Sequence, residues 1–170
     1  MKIRQLQDGD AEAFLELRRA ALRDAPLAFT SSPEDDLVST LEVFSERIAD
    51  APETVILGAF VERLVGVAGL YREPHLKASH KAHLWGMYVL PEHRGRGIGA
   101  GLLEALVSHA RSLAGISSVH LSVTSAAPEA RRMYERAGFR VWGTEPDSLR
   151  LDGQAVVEHH MVLDLDEHLA

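Results

Sequence analysis

The sequence predicts a single α/β domain, residues 1–170, with a mixed central β-sheet flanked by about four helices. Three observations predict it. Short apolar runs alternate with amphipathic stretches in the order β-α-α-β-β-β-α-β-α-β-β. One apolar strand, Leu84 to Val89, runs into a basic, glycine-dense loop and then an amphipathic helix, as in parallel sheets that bind ligands at strand ends. A chain of 170 residues, 46% hydrophobic and 25% charged, supplies one substantial core, and no linker or internal repeat divides it.

Each element has a local cause. Ile3 to Leu6 is a short strand, and Asp8 or Asp10 caps a helix whose Phe14, Leu17, Ala21 and Leu22 share one face, ending near Asp24 before Pro26. After a polar stretch, Phe29 to Asp36, Ser39-Thr40-Leu41-Glu42 has the form of a capping box, with Leu41, Phe44 and Ile48 at helical spacing and Pro52 as the stop. Val55 to Phe60 and Leu64 to Tyr71 form a hairpin about Glu62 and Arg63. Glu73 to Lys81 is a loop before strand Leu84 to Val89.

The helix after the glycine loop carries Leu102, Leu103, Leu106, Val107, Ala110 and Leu113 on one stripe and ends by Gly115. Val119 to Val123 is a strand. Pro128 opens the fourth helix and Gly138 closes it. Phe139 to Thr144 and Val156 to Leu165 are the last strands.

Composition excludes several classes. The chain has no cysteine, which removes disulfide scaffolds, thiolate zinc sites and cysteine nucleophiles. A net charge of -7 argues against nucleic acid as a partner. The start MKIRQLQDGD has no apolar signal core, and no apolar run reaches the roughly 20 residues that span a bilayer, so a cytoplasmic location is expected.

Against this acidic background His93, Arg94 and Arg96 sit in the loop Arg94-Gly95-Arg96-Gly97-Ile98-Gly99. Glycines let a backbone expose its N–H groups, and a helix N-terminus adds unpaired donors with partial positive charge. The loop is therefore a phosphate cradle. Gly95, Gly97 and Ala100 satisfy a degenerate dinucleotide fingerprint, but Pro91 to Arg94 separate it from its strand and Ser117 to Ala127 contain no acidic residue. A nucleoside-triphosphate loop needs Gly-Lys-Ser/Thr, which is absent.

The form R-x-x-G-x-G after a strand ending in Tyr88-Val89-Leu90-Pro91 resembles the acetyl-CoA loop of the GNAT N-acetyltransferase superfamily. A second segment agrees in order: Leu121-Ser122-Val123, Ala130, Met133-Tyr134 and Gly138-Phe139 resemble that family's L-x-V…A-x-x-L-Y-x-x-x-G-F. The resemblance implies a GNAT-like fold with acetyl-CoA as cosubstrate. Its pyrophosphate would be held by the amides of Arg94, Gly95, Arg96, Gly97, Ile98, Gly99 and Ala100, with the Arg94 and Arg96 side chains nearby. The main chains of Met87 and Val89 would meet the pantetheine as a strand meets a peptide, and a main-chain N–H near Val89 would meet the oxyanion.

The resemblance also implies catalytic roles. Amide formation needs a neutral amine, a stabilised oxyanion and a proton for the departing thiolate. Tyr134 stands at the family's proton-donor position. The family's base position, six residues ahead of Val89, holds His83. Imidazole, with an ordinary pKa of about 6.5, is largely neutral near pH 7 and accepts a proton. Glu73, Tyr71 and Trp85 are alternative lining for the amine pocket. Ala127 departs from the family's usual Asn at the start of the fourth helix, with Thr124 or Ser125 as substitutes.

The expected activity is acetyl transfer to a primary amine of a small molecule or protein, by direct attack in a ternary complex. The alternative is a non-catalytic acyl-CoA sensor. No metal is expected: His80 and His83, three apart on or before a strand, and the adjacent His159 and His160 face opposite sides, and no zinc-protease string occurs. Nucleic acid and membrane are not expected partners, while the last strand leaves a homodimer and a monomer both open. The loops Phe29 to Asp36 and Glu73 to Lys81 are expected to shape the acceptor cleft.

Overall fold

A computed structural model of the chain describes residues 1–165. Its elements are β1 (Lys2–Gln5), α1 (Ala11–Asp24), α2 (Leu41–Ala49), β2 (Thr54–Val61), β3 (Arg63–Arg72), β4 (Lys81–Val89), α3 (Ile98–Ser112), β5 (Ser118–Thr124), α4 (Pro128–Arg136), β6 (Arg140–Leu151) and β7 (Gln154–Asp164). The order is the one the sequence predicts. The strands make one seven-stranded sheet, β1-β2-β3-β4-β5-β7-β6. Neighbours are antiparallel except β4 and β5, which run parallel.

Two apolar clusters cover the two faces. On one, α3 buries Leu102, Leu103, Leu106, Val107 and Ala110 against Val55, Val65, Leu84, Val119 and Leu121, joined by Tyr134 and Phe139. A fully buried leucine such as Leu106 contributes roughly 1.5–3 kcal/mol through its burial. On the other, Phe14 and Leu17 of α1 and Phe44 of α2 pack on Leu6, Ile56, Val67 and Tyr88.

Several boundaries differ from those the sequence predicts. Thr40, not Ser39, caps α2, its Oγ1 accepting from the Val43 amide at 3.3 Å. Strand β4 begins at Lys81 rather than Leu84, because Lys81, Ala82 and His83 pair with Ser118, Val119 and His120. Strand β6 continues past Thr144 to Leu151; its far half is held by the ladder to β7, which closes through a turn at Asp152 and Gly153. That half is largely solvent-exposed, and the short alternation Leu149-Arg150-Leu151 after Pro146 and Asp147 is too brief to mark it as strand.

Two irregularities in β4 position everything that follows. Its ladder to β5 stops at the His83–His120 pair, so beyond that point β4 and β5 part and the sheet forks. At Gly86, whose φ of 64° suits glycine, an extra residue interrupts the β3–β4 register between the Val67–Tyr88 and Gly69–Trp85 pairs.

Candidate active site

The glycine loop follows β4 after a short connection. A short 3₁₀ turn, Pro91–His93, leads into it, and the amides of His93 and Arg94 close that turn on the carbonyls of Leu90 and Pro91. Gly97 then starts α3 in the left-handed conformation (φ 76°), and the first intrahelical bond runs from Gly101 to the Gly97 carbonyl at 2.9 Å. Among the described residues the amides of 95–100 have no backbone acceptor. No side chain caps this helix and no acid stands in its first turn, so the donors and the helix dipole face outward together.

Arg94, expected near the phosphates, is engaged with neighbouring groups. Its Nε donates to the Val89 carbonyl at 2.9 Å, its Nη2 to Asp24 at 2.5 Å, and it lies over the Tyr88 ring at 5.3 Å. Its amide is spent in the preceding turn. Arg94 thus ties the loop to α1, and its hydrogen bond to Asp24 holds that carboxyl below the usual carboxylate range. Arg96 is exposed and makes no hydrogen bond among the described residues, which leaves it as the loop's available cation.

The bulge at Gly86 sorts β4 between the faces. His83 and Val89, six apart, would share a face in a regular strand. The extra residue breaks that parity: Met87 and Val89 pack on the α3 side, Trp85 and Tyr88 on the α1–α2 side. Met87 and Val89 therefore flank the fork on the side of the glycine loop.

On the opposite side lies an open cavity of about 540 Å³, lined among others by Arg18, Phe29, Tyr71, His83, Trp85, Gly86, His120, Ser122, Trp142 and His160. His83 stacks on Tyr71 with centroids 5.0 Å apart, sits 5.6 Å from the ring of His120, and places Nε2 3.2 Å from a Glu73 oxygen without hydrogen-bond alignment. Burial lowers its pKa below the ordinary 6.5, outweighing the pull of Glu73. His120 is lowered likewise, by burial first and then by the charge of His83. Glu73, one of the alternatives for lining the amine pocket, hydrogen-bonds the His75 ring at 2.6 Å and sets its other oxygen near His83. Trp85 lines the cavity with the Arg47 guanidinium 5.1 Å over its ring.

Tyr134 approaches from the other face. It is buried in the α3-side core, edge-on to Phe139 at 5.9 Å, and its hydroxyl makes no hydrogen bond among the described residues. Burial pushes its pKa well up, so it stays protonated. His83 and Tyr134 are thus not neighbours in one pocket; they stand on opposite faces of the sheet beside the fork. The substitutes for the missing Asn are also engaged elsewhere. Thr124 donates to the Leu27 carbonyl at 2.7 Å, Ser125 accepts from the Val157 amide at 3.2 Å, and Ala127 leaves α4 without a side-chain cap.

Sequence reasoning does not find His120, Arg18, Trp142 or the companions of His160. The ladder between β6 and β7 brings Glu145, Glu158 and His160 together with ligand-type atoms within 4.8 Å of one another, and Ser122 Oγ meets His160 Nδ1 at 2.8 Å. Only the polar alternation of β5 hints that His120 and Ser122 share a face. Gly86, alone inside an apolar run, is the ordinary mark of a bulge.

A family model described as the acetyltransferase (GNAT) family matches residues 14–139. An uncharacterized N-acetyltransferase of Mycobacterium tuberculosis is 26% identical over 157 residues, covering 88% of this chain and 96% of that protein. Mycothiol acetyltransferase of Propionibacterium freudenreichii is 42% identical over 62 residues, 35% of this chain, and the chain covers only 20% of that longer protein. Among solved structures, yncA from Salmonella typhimurium with its cofactor acetyl-CoA superposes with a TM-score of 0.83 at 25% identity, covering 100% of this chain and 96% of that one. Ribosomal-protein-alanine N-acetyltransferase from Brucella melitensis superposes at 0.84 with 24% identity, covering 97% and 100%, and shares the fold. No helix among the described residues is long and apolar enough to cross a membrane.

Proposed function

The chain belongs to the acetyltransferase (GNAT) family, and we propose accordingly that it moves the acetyl group of acetyl-CoA to a primary amine by direct attack in a ternary complex. The observation that carries this reading is the fork between β4 and β5, which has an outward-facing phosphate cradle on one side and a cavity floored by neutral imidazoles on the other. Six free amides, 95–100, and the Arg96 side chain suit a pyrophosphate. Met87 and Val89 offer strand edge to the pantetheine arm.

Acetyl-CoA supplies the activated thioester. The protein's residues then manage protons and position. His83, kept neutral by burial, accepts the proton that the amine nitrogen loses as its bond to the acetyl carbon forms. Glu73 steadies the resulting imidazolium. Tyr134 donates a hydrogen bond to the sulfur as the carbon–sulfur bond breaks; its raised pKa suits hydrogen-bond donation better than complete proton release.

Release of CoA thiol, followed colorimetrically with a panel of small amines and amine-bearing peptides, tests the reading. Acetyl-CoA-dependent release with at least one amine is expected. Tight acetyl-CoA binding with no release on any amine would instead fit a non-catalytic acyl-CoA sensor.

A further inference from the structure

Arg18 is the buried cation that the proposed chemistry leaves unused. It lies on α1, is 8% exposed, and forms a bidentate pair with Asp36: Nε donates to Oδ2 at 3.0 Å and Nη2 to Oδ1 at 2.9 Å. Phe29 lies 5.4 Å from the guanidinium carbon. Asp36 and Phe29 together hold the guanidinium in one orientation. Asp36 occupies only the Nε–Nη2 edge, and Nη1 makes no hydrogen bond among the described residues.

That free end faces the reaction. Arg18 lines the acceptor cavity, and its Nη1 stands 3.7 Å from where a Cβ on Gly86 would sit, at the bulge beside the fork. Thr30 and Ser31, from the loop that Asp36 anchors, line the same wall with hydroxyls. A guanidinium has five donors in a planar fork, so its second edge can take a carboxylate while the first holds Asp36.

Resting on the acetyl-transfer reading, we propose that Arg18 binds the carboxylate of the acceptor, and that the acceptor is a free α-amino acid rather than a protein amine. In an α-amino acid one carbon separates the amine from the carboxylate, so a carboxylate on Arg18 leaves the amine beside Gly86 and the fork. A protein N-terminus has a neutral amide at that position and a lysine side chain a methylene, so both leave the free edge unpaired.

The test compares free α-amino acids with their carboxamides by thiol release, with kcat/KM expressed per neutral amine because the amide is the weaker base. The acids are expected to be better acceptors by at least tenfold, mostly through KM. Replacing the pair together, Arg18→Met with Asp36→Leu, avoids a stranded buried carboxylate and is expected to bring the acid-to-amide ratio near unity. Should that variant fail to fold, product inhibition of the unaltered protein answers the same question: N-acetyl amino acids inhibit, and their carboxamides do so at least tenfold more weakly. Equal use of acids and amides, or a ratio that survives the double substitution, overturns the carboxylate site while acetyl transfer stands. Inertness of every amine despite acetyl-CoA binding removes both.

Discussion

Two side chains carry the proposed chemistry, and each makes its own prediction. Tyr134→Phe deletes a hydroxyl that bonds to nothing among the described residues, so the fold keeps its stability while the sulfur loses its donor. Turnover is expected to fall on the order of 10²-fold with acetyl-CoA affinity unchanged, measured by steady-state kinetics beside a binding titration. For His83 the expected pH dependence follows from burial. Its folded pKa lies below 6.5, so the acid limb of kcat/KM falls below that value, where the imidazole gains its proton. His83→Gln is expected to flatten that limb and lower kcat/KM about 10²-fold. The same shift affects folding: the unfolded chain takes up the proton first, so stability drops as pH falls through 6.5 and levels off below the folded pKa. A pH series of thermal melts on both proteins separates the two effects. Both residues are candidates because each sits at a fixed spacing from a motif. Their placement on opposite faces is not legible, because spacing along a strand loses its meaning across the bulge at Gly86.

At the scale of elements, the sequence is clearest where periodicity is strong and punctuation sharp. The stripe of α3 and the loop before it can be read almost residue by residue, because glycine, helix start and apolar spacing agree. Legibility fails where structure comes from partners. The far half of β6 is strand only because β7 lies beside it, and β4 reaches back to Lys81 only because Ser118 to His120 meet it. The charge of Arg94 falls in the loop and points to the phosphates, yet its partner, Asp24, lies at the end of α1, beyond the reach of any local pattern. Helix α4 gives a direct test of element energetics. Ala127 occupies its N-cap in a non-helical conformation and offers no acceptor. Ala127→Asn is expected to add about 1 kcal/mol, a rise of roughly 2–4 °C in Tm by calorimetry.

Across the whole molecule, the sheet is two antiparallel pieces, β1 to β4 and β5 with β7 and β6, joined by three parallel register pairs. A ligand seated at their junction would contact both, and on the proposed reading acetyl-CoA is such a clasp. At about 100 times its Kd it is expected to stabilise the fold by about 2.7 kcal/mol. A thermal shift on the order of 5–10 °C follows for a chain of this size, and no shift with acetyl-CoA would count against the cradle. The acidic balance, the absence of cysteine and the element order are plain in the sequence, since they need no tertiary information. The fork is not, because it exists only as pairing that stops. One consequence of that fork concerns the route of protons rather than binding. On the proposed reading, the opening between β4 and β5 joins the cavity that His83 lines to the face on which Tyr134 packs, so the proton taken from the amine and the hydrogen bond given to sulfur would come from groups on different faces.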